Sequence, residues 1–255
     1  MAERKTKAVT FVDLSKVGKF KDRIGTVGIE IEGAWTTIPQ GLRITRDGSL
    51  DDWYNGTLAQ KGFRPNQVGE VQSPPIEPRL VPEWMKKYYP QLIHDCCGLH
   101  VHMGMKNALC YMRLGDASYL PTVVEYFKRW ATEEGLDQAH NIWPRLRGEN
   151  RYCQHKFYFD EQVVKREKEF ANWGRDRQPD GHRYTAINYC FGRLGTVECR
   201  LLPMFDSSER AIRAVQKLLW ITNAYLVATA KKESKEVAEA KVEDGYVREE
   251  HRVVV

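Results

Sequence analysis

The stretch TVGIEIEGAW, residues 26–35, constrains the fold more than any other part of the sequence. Its valine and isoleucines alternate with Glu30 and Glu32, and a period of two is typical of a β-strand with two different faces. The two carboxylates then lie ~7 Å apart on one face, at ~3.3 Å per residue, and repel one another unless a cation lies between them. The pattern predicts a strand with an apolar face for packing and an anionic face for binding a cation.

The same design recurs in three further strand-like segments. CGLHVHMG carries His100 and His102 on one face, GEVQSPP carries Glu70, and GTVECRLLP carries Glu198 with Arg200. The other face of each segment is apolar. Carboxylates with few imidazoles favour hard cations such as Mg²⁺ or Mn²⁺ over Zn²⁺. We therefore predict a sheet that gathers these side chains on one face as a site for divalent cations.

The order of strand-like and helix-like segments predicts an α+β fold. Strand-like runs cover residues 24–33, 42–46, 67–73, 97–104, 184–191 and 196–202, the last two joined as a hairpin by GRLG. Helix-like runs cover residues 83–94, about 117–136, 160–173 and a long segment that begins at Asp206. Strands in unequal groups, separated by helices, favour a curved antiparallel sheet with helices packed on its outer face.

Composition argues against several classes of protein. The 255 residues carry a formal charge of +5 and begin without the apolar stretch of a signal peptide. No apolar run approaches the ~20 residues of a membrane span. The six cysteines form no CxxC motif, so neither a zinc ribbon nor a disulfide framework is predicted. We predict a cytoplasmic protein that does not bind a membrane; the slight basic excess is only a weak hint of nucleic-acid contact, and no pattern predicts an oligomeric state.

Each motif also has an ordinary structural explanation. An ExE pair is often the solvated side of a sheet, an HxH pair suits a surface pair or a zinc site, and Glu198 with Arg200 could form a surface ion pair. The occurrence of all three motifs in one chain favours one shared site. A metal-dependent hydrolase or nuclease would also use clustered carboxylates and histidines. A non-catalytic nucleic-acid-binding protein is the other alternative, and a basic, aromatic surface would identify it.

In chain order, GIEIEGAW, DGSL, GEVQSPP, CGLHVHMG, RYTAIN and TVECRLLP resemble the successive motifs of the amidoligase family, within the superfamily of glutamine synthetase and glutamate-cysteine ligase. The resemblance covers residues 24–206. It implies a half-barrel of antiparallel strands, with Mg-ATP entering from one side and a carboxylate substrate from the other. We expect a basic N-terminal extension at 1–23, a catalytic domain at 24–232 with a helical insertion at 107–180, and a charged tail at 233–255.

The resemblance implies ATP and two divalent cations, Mg²⁺ or Mn²⁺, in the site. The ligands implied for the ion that bridges the ATP phosphates are Glu30, His100 and Glu198. The ligands implied for the ion nearer the substrates are Glu32, Glu70 and, as in some relatives, Asp47.

Three further residues match positions that contact the reacting groups in this family. Arg200 matches the arginine that meets the transferred phosphoryl group or the substrate carboxylate, and Arg183 is implied as a second such clamp. His102 is implied as a contact to the nucleotide phosphates, with metal ligation as the alternative. The implied activity is an ATP-dependent carboxylate–amine ligase that forms an amide or peptide bond through an acyl phosphate. Its carboxylate and amine substrates would be an amino acid, a peptide or a modified nucleotide.

The insertion at 107–180 has two possible roles. Its aromatic side chains could exclude water from an acyl phosphate or could form the core of a helical subdomain, and they are Trp130, Trp143, Tyr152, Phe157, Tyr158 and Trp173. Within the insertion, RLRGENRYCQHK also resembles a family motif. The sequence predicts no chemical role for its Arg151, and Cys153 fits an inert small apolar residue.

Overall fold

The computed structural model describes residues 10–155, 184–190 and 194–243, with side chains to residue 231. Five strands form one open antiparallel sheet in the order β2-β1-β3-β5-β4. The strands are β1 (Ile24–Ala34), β2 (Val68–Gln72), β3 (Gly98–Met105), β4 (Ile187–Cys190) and β5 (Thr196–Pro203). The predicted α+β class with an antiparallel sheet is therefore confirmed.

Five of the six predicted strands contain an observed strand, and the segment at 42–46 is the exception. There only Thr45 pairs, exchanging two backbone hydrogen bonds of 2.8 Å with Glu70 at the edge of the sheet. The pairing cannot continue because Asp47 caps a 3₁₀ turn at Gly48–Leu50 by accepting a hydrogen bond from the Ser49 amide. This turn redirects the chain, so the prediction of a strand at 42–46 is wrong.

Six helices lie in the described part of the chain. They are α1 (Asp51–Trp53), α2 (Val81–Tyr88), α3 (Ala108–Leu114), α4 (Tyr119–Glu133), α5 (Ile142–Arg147) and α6 (Ser208–Glu243). Helix α2 is shorter than the predicted 83–94 because Tyr89, which precedes Pro90, is extended with ψ at 136°. Helix α6 continues past residue 232, so residues 233–243 of the expected tail are helical. The predicted helix at 160–173 lies outside the described residues.

The apolar face of the sheet forms the core. Val27, Ile29 and Ile31 on β1 are fully buried in one cluster with side chains from α4 and α6. Helix α6 contacts β3 directly, where the Thr222 hydroxyl lies 3.5 Å from Met103 Sδ. Because these helices cover only the apolar face, the side of the sheet that carries the glutamates and histidines is left for a site.

The described part of the 107–180 insertion belongs to the same core. Trp130 and Trp143 are 6% and 8% exposed within the cluster that includes the sheet, so they pack as core residues. Tyr152 instead lines a cleft beside the candidate site. Phe157, Tyr158 and Trp173 lie outside the described residues. Among the helices that the structure describes, none is long and apolar enough to cross a membrane.

Candidate functional site

Strand register brings the predicted ligands together across four strands. Glu30 lies opposite His100 on β3, and Glu32 lies opposite Glu70 on β2. On the next pair, His102 faces Glu198 of β5. A bulge then sets Arg200 and Leu201 of β5 against the single residue His100. The sheet therefore converts motifs far apart in sequence into one row of side chains.

The first ligand group consists of Glu30, His100 and Glu198, with one donor atom from each within 4.8 Å of the others. Nδ1 of His100 lies 3.1 Å from Glu30 Oε2 and 3.7 Å from Glu198 Oε1. The side chains of His100 and Glu198 are 4% exposed, so few water molecules compete for these atoms. This group contains the three residues implied for the phosphate-bridging ion.

The second ligand group consists of Glu32, Glu70 and the same His100, again with donor atoms within 4.8 Å of one another. The other ring nitrogen of His100, Nε2, lies 3.8 Å from Glu32 Oε1. Oε2 of Glu32 accepts a 2.6 Å hydrogen bond from the Gly98 amide, which orients the carboxylate. Glycine is required at 98, because a Cβ there would lie 2.6 Å from His100 Nε2.

The donor set fits hard divalent cations. Each group offers two carboxylates and one imidazole, a set that suits Mg²⁺ or Mn²⁺. Burial, and next to it the charge of Asp47, raises the pKa of Glu32 to about 8. Burial, and next to it the charge of Glu30, raises the pKa of Glu70 to about 8 as well. Carboxyl groups that resist ionisation in the metal-free protein are those that a bound cation would stabilise most.

Glu30 and Glu198 behave in the opposite way. Burial alone would raise the pKa of Glu30, but hydrogen bonds from His100 and His102 outweigh it and hold that pKa well below its usual range. Burial would also raise the pKa of Glu198, and the Arg200 charge lowers it instead. Both groups are therefore anionic at neutral pH, which makes them the permanent charges of the site.

Arg200 forms a buried ion pair rather than a surface pair. Its Nη1 lies 2.5 Å from Glu198 Oε1, and its side chain is 12% exposed. Nε donates a long hydrogen bond of 3.4 Å to the Tyr152 carbonyl oxygen, and the Asn188 amide donates to the other oxygen of Glu198 at 2.8 Å. The guanidinium is thus held beside the first ligand group, where a phosphoryl or carboxylate group would meet it.

The remaining predicted residues have different positions. Asp47 lines the cleft next to Glu32, with Oδ1 accepting from the Ser49 amide at 2.7 Å. Nε2 of His102 donates to Glu30 at 3.2 Å, and its Nδ1 lies 3.1 Å from the Thr196 hydroxyl. Glu30 outweighs the effect of burial and raises the pKa of His102. Arg183 lies outside the described residues.

A cleft of about 310 Å³ opens beside the second ligand group. The residues that line it are Glu32, Asp47, Gly48, Ser49, Cys96, His100, Arg145, Tyr152, Tyr184 and Arg200. Neither Glu30 nor His102 lines this cleft. The cleft lies at the Glu32 end of the ligand row. His102 lies towards the other end, because it pairs with Gly28 on β1, four residues before Glu32.

Arg145 and Cys96 are among the cleft residues that sequence reasoning did not assign to the site. Arg145 begins the RLRGENRYCQHK segment, and helix α5 directs it inward. The six residues of this helix carry too weak a periodicity to predict it from sequence. Cys96 Sγ lies 3.2 Å from His94 Nδ1. Hydrogen bonds from Cys97 and His94 lower the pKa of Cys96 to about 6. The other five cysteines are buried.

Comparison with known proteins adds no assignment. No protein-family model matches the sequence, and no curated protein matches it significantly. The case for a function therefore depends on the geometry of the site and on the ordered motifs.

We expect Glu70→Gln to stabilise the metal-free protein, and the gain to grow as the pH rises from about 5 to about 8. The folded state keeps Glu70 protonated up to about 8, whereas in the unfolded chain its pKa lies near 4.5, so wild type loses stability as the pH rises through this window. The free energy of unfolding by urea, measured in EDTA at several pH values, checks this. A gain independent of pH, or a loss at high pH, would contradict it.

Proposed function

We propose that the chain is an ATP-dependent carboxylate–amine ligase that uses two divalent cations. One observation carries the proposal: two three-residue ligand groups share His100, each facing a different nitrogen of its ring. The first group is the set that the amidoligase motifs imply for one ion, and the second contains Glu32 and Glu70 of the other set, with His100 in place of Asp47. The proposal includes the finer fold assignment, a curved half-barrel of the glutamine synthetase type.

The two ends of the ligand row suit two different substrates. At one end, His102 and Thr196 present polar groups beside Glu30, which fits the phosphates of ATP. At the other end, the cleft beside Glu32 is lined by two arginines and two tyrosines, which fits an organic acid. A ligase requires this separation, because the γ-phosphoryl group and the carboxylate must approach one another from opposite sides.

The reaction requires a leaving group better than hydroxide. A carboxylate oxygen attacks the γ-phosphorus of ATP, the bond to the β,γ-bridging oxygen breaks, and ADP leaves. The amine nitrogen of the second substrate then attacks the acyl carbon, phosphate leaves, and the nitrogen loses a proton to form the amide. Bound divalent cations would neutralise charge on the transferred phosphoryl group.

The chain's own residues orient the groups and exclude water. Arg200, held by Glu198 through Nη1, would donate its remaining N–H groups to a phosphoryl or carboxylate group. Tyr152 and Tyr184, with ring centroids 5.5 Å apart, line the cleft and limit the access of water to an acyl phosphate. Glu30 remains anionic and is oriented by two histidines, so it presents a charged ligand without rearrangement.

The test is a search for ADP. The purified protein is incubated with Mg-ATP and pairs from a panel of carboxylates and amines, ADP is measured by a coupled assay, and condensation products are identified by mass spectrometry. We expect ADP and phosphate to form in equal amounts with one amide product. Hydrolysis of ester, peptide or nucleic-acid substrates without ATP would instead identify a metal-dependent hydrolase or nuclease.

We expect ATP to bind much more tightly with a divalent cation than without one. Glu30 and Glu198 are both anionic, so the triphosphate meets unfavourable charge unless a cation lies between them. Calorimetric titration with ATP in Mg²⁺ and in EDTA checks this, and we expect affinity at least about tenfold weaker in EDTA. Equal affinity in the two buffers would remove the two-cation site from the proposal.

A further inference from the structure

Arg145 is a buried cation that no carboxylate of the described residues neutralises. The residue is 2% exposed, and within the described part of the chain it forms no ion pair. Its Nη1 donates a 2.9 Å hydrogen bond to the backbone carbonyl of Arg200, while its buried Nε has no hydrogen-bond partner. Arg147, two residues further along α5, is the contrasting case, since it is exposed and pairs with Glu149 at 2.7 Å.

A buried guanidinium without a counter-charge is costly. Transfer of an ion into the interior is unfavourable unless an opposite charge and hydrogen bonds compensate it. Arg200 differs because Glu198 already neutralises it. Among the described residues that line the cleft, Arg145 is therefore the cation that remains available to a ligand.

The surroundings of Arg145 favour a small oxyanion. The cleft of about 310 Å³ is also lined by Ser49 and two tyrosines, and the buried Ser49 hydroxyl has no hydrogen-bond partner among the described residues. Hydroxyl and guanidinium groups at the border of a space of this size suit a carboxylate on a compact molecule. The cleft lies on the Glu32 side of the ligand row, away from the side assigned above to the nucleotide phosphates.

We infer that Arg145 binds the carboxylate of the acid substrate and holds it in the cleft beside Glu32. The inference rests on the proposed function for the identity of the ligand, but the binding step requires neither ATP nor turnover. Phosphate has similar chemistry, and the γ-phosphoryl group of ATP is the other possible source of an oxyanion. The experiment therefore compares the two.

Cys96 provides a direct reporter of occupancy, because it lines the same cleft and is the one cysteine that is not buried. Its alkylation by iodoacetamide at pH 7 is followed by mass spectrometry in sodium acetate, sodium succinate or sodium phosphate, each at the same ionic strength as a sodium chloride control. A ligand in the cleft slows the reaction by a factor of 1 + [L]/Kd, roughly tenfold at ten times Kd. We expect acetate or succinate to protect Cys96 more than phosphate does.

The decisive variants are Arg145→Met and Arg147→Met. We expect Arg145→Met to bind the protecting carboxylate about ten- to a hundredfold more weakly, as loss of a charge-assisted hydrogen bond predicts, and to melt no lower than wild type. Arg147→Met, the matched control on the same helix, should bind it as wild type does. If Arg145→Met does not fold, Arg145→Lys takes its place, and weaker carboxylate binding by that variant supports the inference.

Two results would overturn the inference. One is protection of Cys96 that is unchanged in the Arg145 variants or absent from wild type, and the other is protection by phosphate alone. Each is distinct from failure of the proposed function, which is the absence of ATP-dependent condensation. Carboxylate binding through Arg145 without ADP formation would retain the subsite and reject the ligase.

Discussion

Glu30→Gln should reduce ADP formation on the order of a thousandfold, because it removes a charged ligand that the phosphate-bridging cation requires. It should also lower the melting temperature of the metal-free protein. The carboxylate of Glu30 accepts hydrogen bonds from both His100 and His102, whereas an amide offers only one acceptor oxygen and faces the other imidazole with its NH₂ group. Steady-state ADP formation and thermal melts in EDTA measure the two effects.

Glu70→Gln and Glu77→Gln are the controls for this prediction. Glu70→Gln should lose activity as well but gain stability, because the Glu70 carboxyl is hard to ionise in the fold. Glu77 is exposed and pairs with Arg79, so its substitution should change neither quantity. A Glu30→Gln variant that retains activity near wild type would remove the first ligand group from the site.

Arg200→Lys should reduce the catalytic rate by roughly a hundredfold or more, with a smaller change in ATP affinity. Lysine keeps the charge but loses the planar fork that donates two parallel hydrogen bonds, and a contact of this kind in the transition state is worth ~3 kcal/mol. Because Arg200 is buried and fixed by Glu198, lysine should also hold Glu198 less firmly. The rate of ADP formation at saturating Mg-ATP and the calorimetric affinity for ATP separate the effect on turnover from the effect on binding.

Arg213→Lys is the matched control. Arg213 makes a bidentate pair with Glu134, but the pair lies at the surface between α6 and the end of α4, so its substitution should leave the rate unchanged. Equal rates for Arg200→Lys and Arg213→Lys would mean that Arg200 does not contact the reacting groups, and the ligase proposal would lose its phosphoryl clamp.

The sheet was predictable where alternation was strong. On β1 the isoleucines and Val27 lie in the core and the glutamates on the other face, because a period of two leaves no other arrangement once one face is buried. Residues 42–46 lacked this constraint: Asp47 caps a turn there, and a local side-chain hydrogen bond ended the pairing. The end of α2 was set by Pro90, a backbone effect that the predicted boundary at residue 94 overlooked.

The membership of the site was also predictable in part. ExE and HxH place their side chains on one face wherever they lie in a sheet, so Glu30, Glu32 and His100 were candidates from spacing alone. Arg145 was not, because an arginine on a six-residue helix is ordinarily solvated, and only the packing of α5 against β5 makes it a buried residue of the cleft.

Which side chains share a face follows from the sequence alone, because strand periodicity depends only on the order of residues. How their charges are distributed depends on the folded structure. Glu30 and Glu32 are two residues apart and identical in chemistry. Hydrogen bonds from the two histidines of β3 lower the pKa of Glu30, whereas burial next to Asp47 raises the pKa of Glu32. The protonation of each carboxylate depends on its desolvation and on charged neighbours from distant segments. Those neighbours are brought together by strand register, by packing and by the bulge at Arg200.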